Sequence, residues 1–461
     1  MSRRTVPIFV LVGIVAMAMT PRARAQAEDL AIVNCNLIPM DGNRVIADAT
    51  VVVSGGRIRS VGAAADLRIP EGTRVIEADG QWLLPGLTDM HVHFGHASEC
   101  LLYLRFGVTA VCNLGGDGLD LFSGDRLRVL DLRRRILDGE LRGPDIYSAG
   151  SALDGDPPTG PFQTPVADAT AGAQMVRQQH AAGFDYIKVY DALPPATHAA
   201  ILRAAREVGM TVFGHVPEAL GVEATLRSGQ TVIAHAEEYF GAYDTTAVSE
   251  ADTPRRLARL TRQSRAVVIP NTAFIRNVLR QLDDLQAMLD RPEVRFIAPS
   301  VRRLWEPRYN YLVRRPDPDA FAQQMKDKYA FVHVLTKALH DEGVLLLAGS
   351  DASLPTLIPG LSLHEELRDL VVAGLTPYEA LRTATTNVQT FLRRHPPQRA
   401  EADELGTLQV GGRANLLLLE KNPLESLTHL DGVVGVVVRG RYYDREELDA
   451  ALAEIADSFA R

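Results

Sequence analysis

The run Asp89-Met90-His91-Val92-His93 places two imidazoles two residues apart. On a β-strand these positions point to the same face, where two neutral imidazoles can hold one divalent cation. Alone, such a pair is an ordinary feature of strands. Three other apolar runs end in the same kinds of side chain. Val212-Phe213-Gly214 leads into His215, Val232-Ile233-Ala234 into His235, and Leu345-Leu346-Leu347-Ala348-Gly349-Ser350 into Asp351. With only 12 histidines in 461 residues, chance accounts for one or two such endings but not for all five. Lys188 lies inside the apolar run Phe184-Asp185-Tyr186-Ile187-Lys188-Val189-Tyr190. Burying an unpaired ammonium there is costly. Lys188 therefore either snorkels or pairs with a carboxylate, or it is neutralised and takes part in the chemistry.

The elements that would position these groups show as short apolar strands alternating with helical patterns. The strand ending at His91 or His93 is followed by residues 108–113, 145–149, 186–190, 211–215, 231–235, 266–270 and 345–350. Helical stretches such as 195–208 and 364–373 lie between them. Eight strands alternating with helices predict an α/β fold, a (β/α)8 TIM barrel over residues 85–392. In that fold active-site groups sit at the C-terminal ends of the strands, which is where the candidate ligands fall. Residues 29–84 and 403–445 have a different texture of short strands and tight turns, with a hairpin signal at Ser54-Gly55-Gly56. They predict one small β-sandwich built from both ends of the chain, followed by a C-terminal helix over 446–461. The longest gap between strands, 271–341, reads either as a lid over the barrel mouth or as a helical insertion on its outside.

Composition narrows the function. Lys plus Arg is 49, Asp plus Glu is 57, and the net charge is −8. An acidic chain is a poor nucleic-acid binder, because phosphate neutralisation needs clustered Lys and Arg. The start reads as an export leader: Arg3 and Arg4, an apolar stretch from Val6 to Met19, then Ala23-Arg24-Ala25 as a cleavage site. That predicts removal of residues 1–25 and a secreted or periplasmic protein with no remaining membrane span. Cys35, Cys100 and Cys112 cannot make a disulfide framework. A Cys100–Cys112 bridge and three buried thiols both remain open. His364-Glu365 is not a zinc-protease helix, since position 368 is Arg. No G-x-S-x-G elbow and no phosphate-binding glycine loop occur.

Taken together, these motifs resemble the amidohydrolase superfamily, in the branch of imidazolonepropionase and the metal-dependent prolidases and dipeptidases. The likeness rests on 84–93, Gly107-Val108-Thr109, Ile187-Lys188, His215, His235 and Gly349-Ser350-Asp351. It continues through 363–377, 384–387 and Gly411-Gly412-Arg413-Ala414-Asn415-Leu416. It covers roughly residues 30–443. The resemblance implies a binuclear centre of two divalent ions, usually zinc. His91, His93 and Asp351 would hold one ion, His215 and His235 the other, with Lys188, carboxylated by carbon dioxide, bridging them. It implies hydrolysis of an amide-type C–N bond in a small molecule, such as an N-acyl amino acid or a dipeptide. Asp351 would serve as general base, and Tyr239, four residues past His235, as oxyanion donor. The same site acting on a lactone or other ester, and a non-catalytic metal-binding scaffold, are the alternatives. A homo-oligomer is left open. Asn415 departs from the Asp usual in the family. The segment Ser148-Ala149-Gly150-Ser151 departs from the glycine- and histidine-rich one of many dipeptidases.

Overall fold

The structure, a computed structural model, describes residues 28–119, 126–242, 252–398 and 404–460. The proposed leader at 1–25 lies outside them. The architecture is mixed α/β with parallel strands. From the N-terminal side come β1 (Leu30–Leu37), β2 (Ile46–Ser54), β3 (Arg57–Ala63), β4 (Arg74–Glu77) and β5 (Trp82–Pro85). Strands then alternate with helices: β6 (Leu87–Val92), α1 (Glu99–Arg105), β7 (Val108–Asn113), α2 (Val129–Leu137), β8 (Asp145–Ser148), α3 (Ala169–Ala182), β9 (Tyr186–Val189) and α4 (Pro195–Glu207). The alternation continues with β10 (Thr211–Gly214), α5 (Gly221–Ser228), β11 (Val232–Ala234), α6 (Thr253–Ser264) and β12 (Val267–Ile269). The stretch expected as a lid or insertion is helical, with α7 (Thr272–Leu289), α8 (Pro299–Trp305) and α9 (Pro318–Asp341). After it come α10 (Leu361–Val372), α11 (Pro377–Thr383), α12 (Thr386–Arg394), β13 (Leu416–Leu419), β14 (Val433–Val438), β15 (Arg441–Asp444) and α13 (Arg445–Phe459).

The helix ends follow local chemistry. Asp168 and Asp317 accept backbone N–H bonds at the starts of α3 and α9. Thr376 and Glu379 form a reciprocal capping box on α11. The parallel pairings run β6–β7–β8, pass through an Ala149–Tyr186 bridge to β9, and continue β10–β11–β12. Residues 345–351 then carry the pairing back to β6. Val268 bridges Leu346 on one side, and on the other Met90 N–H donates to Ala348 C=O at 2.9 Å and Asp351 N–H to His91 C=O at 2.8 Å. The circuit of parallel pairing is therefore closed and TIM-barrel-like. The segment expected as an eighth regular strand is instead an extended connector. Gly349 makes its close passage feasible, because a Cβ there would lie 2.7 Å from His91 Cβ and 2.6 Å from Ile269 Cγ2.

Alternation along the strands sorts side chains between the inside and outside of the ring. On β9, Ile187 and Val189 pack outward with Val176 of α3 and Ile201 of α4. Tyr186 faces inward with Phe213 and with Phe391 of α12, which plugs one end of the interior. The Tyr186–Phe213 and Phe213–Phe391 ring centroids are 4.9 and 5.5 Å apart. Two residues beyond Tyr186 on the same face is Lys188.

The two ends of the chain meet in one hydrogen-bonded sheet. Its order is β15–β14–β13–β5–β1–β2–β3, with β4 added on β1. A buried polar cluster ties this sheet to the ring. Asp145 of β8 accepts from Asn415 Nδ2 at 2.9 Å and pairs with Arg413 at 2.8 Å and Arg439 at 3.0 Å. The departure at Asn415 has its explanation here, since an Asp in that place would set one carboxylate against another. Cys35, Cys100 and Cys112 are buried and free. The Cys100–Cys112 bridge left open above is not formed.

Candidate metal centre

The C-terminal ends of the ring strands converge. His91 lies at the end of β6, fully buried, and His93 follows it with a side chain 32% exposed at the mouth. Their ring centroids are 5.3 Å apart. Across from them stands Asp351, whose Oδ1 lies 3.3 Å from His91 Nε2 and 2.9 Å from His93 Nε2. His235 reaches the same carboxylate, with Nε2 3.9 Å from Oδ2, and its ring centroid is 4.8 Å from that of His91. His91, His235 and Asp351 offer ligand atoms all within 4.8 Å of one another. Strand alternation alone would send His235 outward after the outward-packed Ile233. A left-handed backbone, φ 71° at His235 and 63° at Asp351, redirects both side chains. Behind Asp351, the buried Asp89 carboxylate accepts from Ser350 Oγ at 2.5 Å and from Ser350 N–H at 3.0 Å, anchoring the connector to β6.

A second group adjoins the first. His215 sits 4.8 Å from His235 by ring centroid and stacks on Tyr190 at 3.9 Å. Its Nδ1 faces Asp191 Oδ1 at 2.8 Å and Glu238 Oε1 at 3.2 Å. Asp191, His215 and Glu238 form a further trio of ligand-type atoms. Lys188 is 1% exposed, and its Nζ has no hydrogen-bond partner among the described residues.

The electrostatics suit a cation-binding centre. Burial, with Lys188 nearby, holds the His91 imidazole well below its ordinary value, and burial does the same for His235. Burial pushes the Lys188 amine down to about 8, against the pull of Asp351, Glu238 and Asp191. Burial opposes ionisation of Asp351, yet His91, His93 and His235 around it outweigh that and hold its carboxyl well below the usual range. Burial would likewise lower His215, but Asp191 and Glu238 overcome it and raise the ring to about 9. Orphaned buried atoms, Lys188 Nζ and His235 Nδ1 among them, are what a site shaped around absent charge presents.

All the residues expected to ligate metal thus lie at one rim. Tyr239 does not join them. It is fully buried in the cluster with Leu257, Ala258 and Phe331, and its hydroxyl lies 3.0 Å from Thr261 Oγ1. The short helical turn after His235 aims it at α6, which corrects the expected oxyanion role. Sequence reading missed Asp191, Glu238 and Asn271. Asn271 lies two residues past the end of β12 and carries the same signal as the histidines, a polar residue just past an apolar strand.

No family model matches the chain. The adenine deaminase of Mesorhizobium japonicum is 37% identical over 65 residues, 14% of this chain and 11% of that protein. The imidazolonepropionase of Cupriavidus taiwanensis is 40% identical over 87 residues, 18% of this chain and 20% of that protein. The chain thus matches a fifth or less of the length of these relatives. Among solved structures, a bottromycin amidohydrolase superposes with a TM-score of 0.71 at 23% identity, covering 94% of this chain and 90% of that one. A Xaa-Pro dipeptidase with bound methionine gives 0.69 at 20% identity, covering 90% and 100%. The ochratoxinase of A. niger gives 0.66 at 20% identity, covering 91% and 96%. The chain has the amidohydrolase fold, and the resemblance to that superfamily seen in its motifs extends to its architecture.

Proposed function

We propose that the chain is a binuclear metal-dependent amidohydrolase that cleaves an amide-type C–N bond of a small substrate, an N-acyl amino acid or a dipeptide. The observation that carries this is the meeting of His91, His93, His235, His215 and Asp351 near a buried amine that has no hydrogen-bond partner among the described residues. In this reading the ring is a (β/α)8 barrel, and the sheet from the two chain ends is its small β-sandwich. His91, His93 and Asp351 would hold one ion, and His215 and His235 the other. Zinc suits these ligands. Lys188 would be shared between them as a carbamate: its neutral amine would add across a C=O bond of carbon dioxide, forming an N–C bond and losing an N–H proton, which would turn a buried donor into an anionic ligand. Names such as Xaa-Pro dipeptidase and bottromycin amidohydrolase among the neighbours support an amide or peptide bond as the target.

Bound divalent ions supply Lewis acidity and activate water near neutral pH. The chain's own residues do the rest. Asp351, ionised among its histidines, accepts the proton of the attacking water and hands it to the departing nitrogen. Asp89 and Ser350 hold the connector on which Asp351 turns. The leader at 1–25 would route the protein out of the cytoplasm. Among the described residues, no helix is long and apolar enough to cross a membrane.

Metal analysis of the purified chain should find two divalent ions, removed by a chelator together with hydrolysis of N-acyl amino acids or dipeptides in a substrate screen. Intact mass should show one added carbon dioxide, lost in Lys188→Ala. A chain that hydrolyses these substrates at full rate after chelation would overturn the reading.

A further inference from the structure

Asn271 is 1% exposed and bridges two segments of the candidate centre. Its Nδ2 donates to Gly349 C=O at 2.8 Å, and its Oδ1 lies 3.2 Å from His91 Nδ1. A peptide carbonyl only accepts, so the Gly349 contact fixes which end of the carboxamide is nitrogen. Oδ1 is then an acceptor, and His91 Nδ1 must carry the hydrogen. A neutral imidazole has one N–H, so His91 Nε2 keeps its lone pair on the side where Asp351 and His235 lie.

A competing acceptor stands on that side. Asp351 Oδ1 is 3.3 Å from His91 Nε2 and, being charged, would take a proton there if the geometry let it. The contact is not aligned as a hydrogen bond, and Nε2 is left without a partner among the described residues. His93 Nε2, at 2.9 Å, is closer to the same oxygen. Held by Asp351, the proton would block the nitrogen that faces the centre.

We infer that Asn271 is a positioning residue that locks His91 in the tautomer presenting its Nε2 lone pair to a metal ion. The inference rests on the metal reading above. The same amide clamps Gly349, so one side chain orients the His91 ring and pins the connector that carries Asp351. Asn also suits the backbone, which is left-handed here at φ 52°, a conformation Asn tolerates better than most residues. Being neutral, it sets the ring's orientation without adding negative charge beside Asp89 and Asp351.

The test uses the full chain with ¹⁵N-labelled histidine, the His91 signals being assigned by their loss in His91→Gln. Metal-free wild type should show the hydrogen on Nδ1. Asn271→Leu and Asn271→Gly should lose that preference, and Gly accommodates the left-handed backbone should Leu fail to fold. Zinc titration should show both variants weakened ~10- to 100-fold, the range for outer partners of metal-bound histidine. Asn271→Asp, which keeps an acceptor for Nδ1 but loses the donor to Gly349 C=O, should keep the hydrogen on Nδ1, and loss of that preference in Asn271→Asp would count against the acceptor role. Unchanged tautomer and zinc affinity in Asn271→Gly would overturn the inference while leaving the metal centre intact. Wild type that shows the Nδ1 hydrogen but binds no zinc would overturn the metal reading, and with it the role assigned to the tautomer.

Discussion

Asp351 gathers three imidazoles around one carboxylate, so its role can be separated from its neighbours' by a change that keeps its shape. Asp351→Asn should lower kcat by roughly 10²- to 10⁴-fold, the range for a lost general base, with the melting temperature close to that of wild type. Steady-state kinetics beside a thermal melt decides this, and near-normal turnover would remove Asp351 from proton transfer. Tyr239 makes the opposite case. Thr261 Oγ1 already donates to Leu257 C=O at 2.8 Å, so the tyrosine hydroxyl donates to Thr261. Tyr239→Phe should cost about 1 kcal/mol of stability and leave kcat and KM unchanged. Much of the centre was legible at this scale, because His91, His93, His215, His235 and Asp351 each end an apolar run. Asp191 and Glu238 were not, since an acid a few residues past a strand looks like any of the 57 in the chain until the ring brings it to His215. The Tyr239 error arose from spacing alone, which does not say toward which helix a short turn aims its side chain.

Helices outside the ring hold the connectors that bear the ligands. Glu366 of α10 is fully buried and accepts from Thr272 Oγ1 at 2.8 Å and from Ala273 N–H at 2.7 Å, tying α10 to the start of α7 beside Asn271. Burial raises its carboxyl from the ordinary 4.5 to about 8. The folded state therefore holds this proton more tightly than the unfolded chain does. Its contribution is full below about 4.5 and declines as pH rises through 8. Glu366→Gln should keep the contacts to α7 and flatten that part of the stability–pH curve, as denaturant melts between pH 5 and 9 would show; an unchanged slope would place the cause elsewhere. Strand positions were readable from apolar runs, and inward against outward from alternation, as in Tyr186-Ile187-Lys188-Val189. The irregular path of residues 345–351 was not readable. Its pairing depends on Gly349 passing β6 closely, and a run of leucines looks the same in a ladder or in a connector.

At the scale of the molecule, ring and sheet are joined through charge as well as apolar packing. Asp145 neutralises Arg413 and Arg439 where both are largely buried. Asp145→Ala removes the buried carboxylate that Arg413, Arg439 and Asn415 share, and the expected loss is ~3–5 kcal/mol, measured by denaturant unfolding at neutral pH. A loss below about 1 kcal/mol, the level of an exposed ion pair, would mean that the two units are held by apolar contacts alone. The sequence hinted at this union only through the matching texture of the two ends.

That union has a consequence for how the chain is made. β5 is flanked by β1 from early in the sequence and by β13 from near its close. With β1 on one edge of β5, a growing polypeptide has nothing to lay along the other edge of Trp82–Pro85 until residues 416–419 have been synthesised. One residue, Gly86, separates that waiting edge from the strand bearing His91. Biogenesis must therefore run more than 300 residues past β5, to 416–419, before this part of the protein can close.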